Sequence, residues 1–289
     1  MGDVRIMNNK KKAVHEPIRI GKVIRTVIFG LFMFVMLFPL LWMVSTSFKR
    51  EIDVFNFPIQ WIPPVFNWHN YVEVWQGNYN FPLYYWNSIK VTVAVVVIQL
   101  VISSMAAYAL AKMDFKFKGF IFSMFLATMM IPDQVTIVPR FILLQTMGLL
   151  NSHAGYILML AFSVYGVFLL RQSVITIPDS LIEAARMDGA THLQIFIQVI
   201  LPMLKSSLAT LAILRFVWTW NDYQNPLIFF RDQKLFTIQL GMSQFASQAG
   251  TYYALLMAAS VLAIVPLLII FMIGQRYIID GMTAGAVKG

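Results

Sequence analysis

The residues of this sequence that could perform catalytic or metal chemistry are few and scattered. The four histidines, His15, His69, His153 and His192, lie on separate segments and lack metal-ligand spacing. The 289-residue chain has no cysteine, so it has neither a disulfide framework nor a thiolate ligand. The H-E-x-x-H, G-x-S-x-G and paired-carboxylate patterns are also absent from the sequence. These observations predict a chain that is not an enzyme and that binds no metal or other cofactor itself.

A polar group inside an apolar segment offers different chemistry. Arg215, Thr219 and Asp222 recur at i, i+4 and i+7, on one helix face. A charge within a membrane is costly and must face protein or water. One interpretation is a structural Arg215–Asp222 ion pair or a tie between helices. The other is a polar stretch of a solute pathway. The candidate residues for that pathway are Arg215, Trp218, Thr219, Asn221 and Asp222.

Asp133 follows Pro132 and interrupts another apolar segment. A single carboxylate at such a break caps a short helix or lies at the membrane interface, and a proton relay is the alternative.

The composition identifies the environment in which these residues lie. The chain is 59% hydrophobic and only 12% charged, whereas soluble domains carry about 25% charged residues. A net charge of +9 would indicate nucleic acid in a soluble protein. In a membrane protein it indicates instead the Lys and Arg excess of cytoplasmic loops. We therefore predict an integral membrane protein that contacts membrane lipid and no nucleic acid.

Six segments are long and apolar enough, or nearly so, to cross a bilayer core of about 30 Å as helices. They are Val27–Val44, Val91–Ala111, Gly119–Pro132 continuing through Val135–Val138, Ala154–Leu170, Ser206–Asn221 and Thr251–Gln275. The first is too long for a cleaved signal peptide, and no small-residue cleavage site follows it. We predict a cytoplasmic tail at 1–26, a transmembrane domain at 27–275 and a cytoplasmic tail at 276–289.

The distribution of basic residues predicts the orientation. The segments 1–26, 112–118, 171–205 and 275–289 together hold fifteen of the 22 Lys and Arg residues. Cytoplasmic segments carry this excess, so both termini are expected in the cytoplasm. Residues 46–87, on the other side, are rich in Trp and Tyr. They form an interfacial belt or part of a docking surface for an external partner.

The loop at 171–205 is predicted to contain two short helices. Ser180 and Glu183 have the spacing of a capping box, and Gly189 would end the first helix in the left-handed region. Thr191 and Gln194 have the spacing of a second capping box. Pro178 is expected to precede this unit and Pro202 to close it. The spacing of four residues predicts one apolar face on the second helix: Leu193, Phe196, Ile197 and Ile200. A partner protein would cover that face, or else the membrane surface would.

The string Glu183-Ala184-Ala185, Gly189 and Val199-Ile200-Leu201-Pro202 resembles the EAA motif of bacterial ABC importer permeases. Val199 stands where that family has Ile. Other segments are similar to the carbohydrate branch, the maltose-type second permease: Trp220-Asn221-Asp222, Pro226-Leu227, Gly281–Gly289, Pro39-Leu40 with Trp42, Asn70-Tyr71 and Tyr108-Ala109. The resemblance runs from about residue 25 to the end.

The resemblance implies an all-α integral membrane protein with six transmembrane helices of the type I ABC importer permease fold and a coupling loop at 178–202. It implies a permease subunit that carries a sugar or oligosaccharide across the bacterial cytoplasmic (inner) membrane. Trp218 or Trp220 would then stack on sugar rings. The residues implied in coupling are Glu183, Ala184, Ala185, Asp188, Gly189, Leu201 and Pro202.

The partners implied by the resemblance are a second related permease, a dimer of ATP-binding subunits and an extracellular solute-binding protein. ATP and Mg would be bound by the ATPase partner, because the tail Gly281–Gly289 lacks Walker A spacing. That tail reaches into the ATPase pair, or it is a disordered end. A secondary transporter would need paired charges or broken helices in two related halves, and an intramembrane enzyme would need clustered nucleophiles or acids.

Overall fold

The computed structural model describes residues 20–247 and 250–286, which are mostly helical. The predicted tail residues 1–19 and 287–289 lie outside the described residues. The helices are α1 (Ile20–Ser47), α2 (His69–Gln76), α3 (Phe81–Lys112), α4 (Lys118–Thr128), α5 (Asp133–Thr146), α6 (His153–Leu160), α7 (Val164–Ile175), α8 (Asp179–Met187), α9 (His192–Ile195), α10 (Leu201–Met203), α11 (Lys205–Trp220), α12 (Gln224–Phe229), α13 (Ile238–Gly241) and α14 (Tyr253–Ala286). Two-residue strands, β1 (Ala246–Ser247) and β2 (Gly250–Thr251), pair antiparallel.

Three helices of the described chain are each long and apolar enough to cross a membrane unbroken. They are Gly21–Ser47 of α1, Phe81–Lys112 of α3 and Tyr253–Tyr277 of α14. The first, second and last predicted spans are therefore confirmed, with longer helices than the apolar runs alone indicate. Helix α3 begins ten residues before the predicted Val91. Pro82 fits its first turn, because a backbone N–H there has no acceptor within the helix and its absence costs no hydrogen bond.

The other three predicted spans correspond to helices that are bent or broken. The bends are 102° between α4 and α5, 42° between α6 and α7, and 77° between His192–Met203 and α11. Counting each bent pair as one span gives the six predicted spans.

The interruption of the third span that Pro132 and Asp133 indicate in the sequence is confirmed. Helix α4 ends at Thr128, and α5 starts at Asp133 in a new direction. Pro132 has extended geometry, with φ −59° and ψ 137°, and it offers no backbone N–H to continue the helix.

The fourth span breaks between Leu160 and Val164, where the sequence gives no proline or glycine signal. Ser163 explains the restart of the helix, because its side-chain oxygen accepts a hydrogen bond from the Gly166 backbone N–H at 3.3 Å. The fifth span is confirmed, since α11 covers Lys205–Trp220 against the predicted Ser206–Asn221.

Helix α3 lies at the centre of the bundle and packs along α7 and α11. We call the side where α3 ends the α8 side. There, Tyr108 of α3 joins a hydrophobic cluster with Leu170, Ile182 and Ile200. At the opposite end, Phe81 packs in a second cluster that includes Trp220. One helix therefore contributes to the core at both membrane surfaces.

Gly166 permits the close approach of α7 to α3 midway along the bundle. A Cβ atom at this position would come within 2.8 Å of Ser103 Oγ and 3.0 Å of Gln99 Nε2. Both polar side chains are buried, so neither has room to move aside. A side chain at this position would force the two helices apart.

Helix α14 is capped by a residue far away in the sequence. The Glu51 carboxylate accepts hydrogen bonds from the Tyr253 backbone N–H at 2.8 Å and the Ala254 backbone N–H at 2.9 Å. A carboxylate at a helix N-terminus satisfies free N–H groups and interacts favourably with the helix dipole. This contact fastens the segment after α1 to the last span.

Replacement of this cap should destabilise the fold. Glu51→Ala is expected to lower the free energy of unfolding by about 0.5–2 kcal/mol, the usual range for a lost N-cap. Thermal unfolding of the purified protein in mild detergent measures the change. Glu73→Ala is the matched control, because the Glu73 side chain lies 3.8 Å from His69 within the same helix. Equal effects of the two substitutions would contradict the capping role.

Candidate functional site

Helix α8 projects from the bundle with one side attached and one side free. Ile182 is buried in the hydrophobic cluster of the α8 side, and Ala185 packs against that cluster. Glu183 and Ala184 are exposed, as is Met187, whose side chain is 88% exposed. A short amphipathic helix with its outer face uncovered offers a surface to a partner protein.

The prediction that Gly189 ends α8 in the left-handed region is confirmed. Gly189 has φ +81°, in the left-handed region that favours glycine, and its N–H bonds to Arg186 O at 2.9 Å. Asp188 and Gly189 are exposed beside the free face of α8. The predicted Thr191–Gln194 capping box is also confirmed, with both of its reciprocal hydrogen bonds present.

The first predicted capping box is wrong. Helix α8 begins at Asp179 with Pro178 as its N-cap, so Ser180 lies within the first turn. Pro178, with φ −59°, is the N-cap, so the helix begins two residues earlier than a Ser180 cap would start it. Glu183 therefore keeps its side chain exposed and makes no capping bond to Ser180 in the described chain.

The second half of the loop departs from the predicted simple helix. Phe196–Ile200 form a wide π-type turn after α9, and the helix then continues through Pro202 to Met203. Pro202 therefore does not close the helix, which bends at Leu204. Pro202 cannot donate a backbone hydrogen bond, and the wider turn before it accommodates that loss.

The predicted apolar face divides because of this turn. Phe196 and Ile200 are buried within the chain, whereas Leu193 is 61% exposed and Ile197 51% exposed. The prediction that the whole face awaits a partner is therefore wrong for its buried half. Of the two motif residues that follow, Leu201 packs against the same cluster and Pro202 is exposed.

Asp179, the first residue of α8, is bound to α3. Its Oδ1 atom accepts a hydrogen bond of 2.6 Å from Nζ of Lys112, the last residue of α3. This hydrogen bond and the positive charge of Lys112 lower the pKa of the exposed Asp179 carboxyl.

The lowered pKa gives a pH dependence with a defined sign. The folded state favours ionised Asp179, so its contribution is present above the ordinary pKa of about 4 and disappears as the pH falls through the lowered value. Asp179→Asn should therefore unfold at a lower temperature than the unmodified protein at pH 7. This difference should shrink below about pH 4. In a Lys112→Met background the same substitution should have no effect; a persistent difference would contradict the pairing.

Two adjoining cavities within the bundle hold the polar residues of the apolar segments. The first, of about 240 Å³, is lined by Asp133, Leu160, Arg215, Trp218, Thr219, Asp222 and Asn225. The second, of about 380 Å³, shares Asp133, Leu160 and Arg215 with the first and extends past Arg140 to Tyr165.

Arg215 does not form the predicted ion pair with Asp222 in the described structure. Its guanidinium donates a 2.6 Å hydrogen bond to the carbonyl of Leu160, the last residue of α6. A cation is favourable there because the C-terminal end of a helix carries partial negative charge. The Nε atom of Arg215 is buried without a hydrogen-bond partner among the described residues.

Asp222 has two partners that the sequence did not indicate. Its Oδ2 atom accepts hydrogen bonds from the Tyr156 hydroxyl at 2.7 Å and from Asn225 Nδ2 at 2.8 Å. Its Oδ1 atom accepts from the Asn225 backbone N–H at 3.1 Å. Asn225 lies three residues after Asp222, a spacing typical of a local turn, whereas Tyr156 is too distant in the sequence to be recognised.

The other candidates of the fifth span divide between cavity and core. Trp218 is 48% exposed and lines the first cavity beside Thr219, whose buried Oγ1 atom has no partner within the described chain. Asn221 faces away and donates to Val217 O at 2.9 Å. The prediction that Trp220 could stack on a solute is not supported, because it is 1% exposed and its indole N–H donates to Ala263 O.

Asp133 lies in the same cavity, which brings a third span to the site. It is the first residue of α5 and pairs with Arg140 two turns later. A carboxylate suits a helix N-terminus, so the position fits the capping interpretation better than a free proton carrier.

The cavities therefore lie where two spans break and a third ends. Their walls contain the break between α4 and α5, the break between α6 and α7, and the end of α11 with the start of α12. Irregular backbone at membrane depth is tolerated where it lines a water-filled cavity. No cluster of three or more metal-binding side chains occurs within residues 20–247 and 250–286.

A helical bundle with broken spans around a polar cavity, and with a helical loop held outside it, defines a membrane transport subunit. Residues 99–284 match the family described as binding-protein-dependent transport system inner membrane component. The chain belongs to this family, so it is a multi-pass inner-membrane transport component and not an enzyme.

Characterised relatives cover almost the same length. The arabinooligosaccharides transport system permease protein AraQ of Halalkalibacterium halodurans is 35% identical over 266 residues, 91% of this chain and 95% of the relative. The melibiose/raffinose/stachyose import permease protein MelC of Bacillus subtilis is 33% identical and covers 87% of this chain and 91% of its own. The sn-glycerol-3-phosphate permease UgpE of Yersinia enterocolitica is 31% identical and covers 85% and 90%.

A solved structure has the same fold. A chain of a bacterial ABC transporter that imports the acidic polysaccharide alginate superposes with a TM-score of 0.82 and 26% sequence identity. The match covers 90% of this chain and 96% of the alginate transporter chain. The predicted all-α ABC importer permease fold is confirmed.

Proposed function

We propose that this chain is the permease subunit of an ATP-driven importer and that its cargo is a sugar or oligosaccharide. Family membership supports the role of permease. The names of the relatives AraQ and MelC, together with the alginate importer, support a carbohydrate cargo. The observation that carries the proposal is α8, a short helix with a free face outside the spans, at the position of the EAA motif.

Helix α8 would transmit the movement of an ATPase. Its exposed residues Glu183 and Ala184 offer a narrow face, and Gly189 allows the chain to turn directly afterwards. ATP binding would close a dimer of ATPase subunits, and that closure would move α8 together with the spans. The cavity would then open to the opposite side, and hydrolysis would reset it. ATP and Mg would belong to the ATPase subunits.

The remaining partners follow from the surface and the family. The α1 span exposes its apolar side chains to the surroundings, a surface that lipid and a second, related permease would cover. An extracellular solute-binding protein would deliver the cargo to the side opposite α8. The basic residues on the α8 side favour an orientation with α8 and both termini in the cytoplasm.

The polar cavities would form this subunit's part of the solute pathway. Arg215 and Thr219 retain hydrogen-bonding atoms without partners in the described chain, and Trp218 presents an aromatic face. Hydroxyl groups of a sugar could bond to the first two, and its ring could pack on the third.

Isolation of the chain from its native membrane in mild detergent tests the proposal. An ATPase subunit and a second permease should co-purify, and reconstituted vesicles should take up carbohydrate only with ATP. Recovery of the chain alone in several detergents would contradict the proposed function. Uptake driven by a pH gradient would favour a secondary transporter.

Substitution on the free face of α8 should weaken this assembly. Glu183→Lys is expected to reduce co-purification of the ATPase and ATP-driven uptake by about tenfold or more, equivalent to roughly 1.4 kcal/mol of binding. The control is Asp114→Lys, which makes the same change of two charge units at an exposed position outside the loop at 178–202. Normal uptake by Glu183→Lys would exclude this helix from coupling.

Transport should depend on Trp218, the aromatic residue in the wall of the first cavity. Trp218→Ala is expected to lower carbohydrate transport about two- to tenfold, because an aromatic contact is worth roughly 0.5–1.5 kcal/mol. Trp218→Phe should retain most of the activity. The control Tyr223→Ala removes an exposed aromatic ring from the segment that follows α11, a position that does not line the first cavity. Equal transport by both alanine variants would place the pathway elsewhere.

A further inference from the structure

We propose that Lys112 is a positioning residue that fastens the coupling helix α8 to α3, so that α3 moves with α8. The inference rests on the proposed coupling function and extends it to a residue outside the EAA motif. Lys112 is the last residue of α3, and its side chain is only 7% exposed. A lysine so deeply buried is uncommon unless its charge is paired.

The Lys112 ammonium holds both sides of the corner between α7 and α8. Its Nζ atom donates to Ile177 O at 2.6 Å and to Asp179 Oδ1 at 2.6 Å. Pro178 lies between these two partners with a fixed φ of −59°. The carbonyl before the proline and the carboxylate after it are therefore held by one charge, which sets where α8 begins.

A second contact repeats the attachment one turn earlier on α3. The Tyr108 hydroxyl lies 3.2 Å from Nδ1 of His192, the first residue of α9, and the Tyr108 ring packs beside Phe196. Residues 108 and 112 are four apart and share a helix face. The start of α8 and the start of α9 are therefore both attached to the same end of α3.

Helix α3 is suited to carry movement because it is continuous. Its 32 residues extend about 48 Å at 1.5 Å per residue, with no break between the two membrane surfaces. It packs on α7, which follows one break in the cavity wall, and on α11, which carries Arg215. Movement of α8 would thus reach the cavity through α3 and the two helices packed on it.

The experiment uses the complete complex with its ATPase and binding-protein partners, reconstituted in vesicles. It measures the number of ATP molecules hydrolysed for each solute transported. Lys112→Met keeps the length of the side chain and removes the charge. We expect it to raise this ratio about tenfold, within the usual range of coupling between sites, while the ATPase partners remain bound. Lys112→Arg, which can also donate two hydrogen bonds, should restore much of the coupling.

The matched control is Lys116→Met, an exposed lysine four residues later whose ammonium lies over the Phe117 ring. Asp179→Asn provides a milder test, because Lys112 keeps its bond to the Ile177 carbonyl; it should raise the ratio less than Lys112→Met. A normal ratio in Lys112→Met would overturn the inference, and so would a ratio that Lys112→Arg fails to lower.

Spin labels supply a readout that a general loss of stability would not produce. The chain has no native cysteine, so labels at Met105→Cys in α3 and Met187→Cys at the end of α8 report one distance between the two helices. That distance should stay constant through the ATP cycle in the labelled protein and change after Lys112→Met is added. A distance that changes equally in both would contradict rigid attachment. An unmodified complex without ATP-driven transport would instead contradict the proposed function itself.

Discussion

The absence of water from the hydrocarbon core is the constraint on which this structure depends. Every backbone N–H and C=O at that depth must find a partner inside the protein or a polar cavity. Two spans nevertheless break, and α11 ends beside them. Polar side chains of the protein form hydrogen bonds with backbone groups that these helix ends leave unpaired. Arg215 binds the last carbonyl of α6, Ser163 caps α7 and Asp222 binds the start of α12. The cavity is therefore a consequence of where the helices end.

The same bundle keeps its coupling loop separate from its polar cavity. The loop is held by hydrophobic residues on its inner side and by two polar contacts to α3, while its outer side remains free. The polar cavity is lined in part by α7 and α11, the helices that precede and follow this loop. Because packed helices transmit displacement better than flexible segments do, the two regions are physically linked without sharing a residue.

The sequence predicted the features whose causes are local. Gly189 and the Thr191–Gln194 box depend on residues within one turn, so their spacing was sufficient. The break after Leu160 was missed because Ala161 and Phe162 are apolar and no proline or glycine marks it. Ser180 had the correct spacing for a cap, but Pro178 began the helix earlier. Local competition of this kind is not visible in a motif.

The contacts that the sequence could not predict join residues far apart. Lys112 meets Asp179 across 67 positions, and Tyr156 meets Asp222 across 66. Neither pair has a characteristic spacing, because each depends on how α3, α6, α8 and α11 pack together. Arg215 could be identified as a costly charge, but its partner is a backbone carbonyl, which carries no sequence signal.

The wide turn at Phe196–Ile200 has a consequence for how this segment tolerates insertions and deletions. Such a turn contains one residue more than an α-helical turn, and each residue of an α-helix contributes about 100° of rotation. Loss of one residue here would therefore rotate α9 by roughly that angle relative to α11. Lys112 and the hydrophobic cluster around Ile182 hold α8 in place, so the rotation would break the packing of Phe196 and Ile200 instead of turning α8 as well. The length of this segment is thus fixed by contacts on both sides of it.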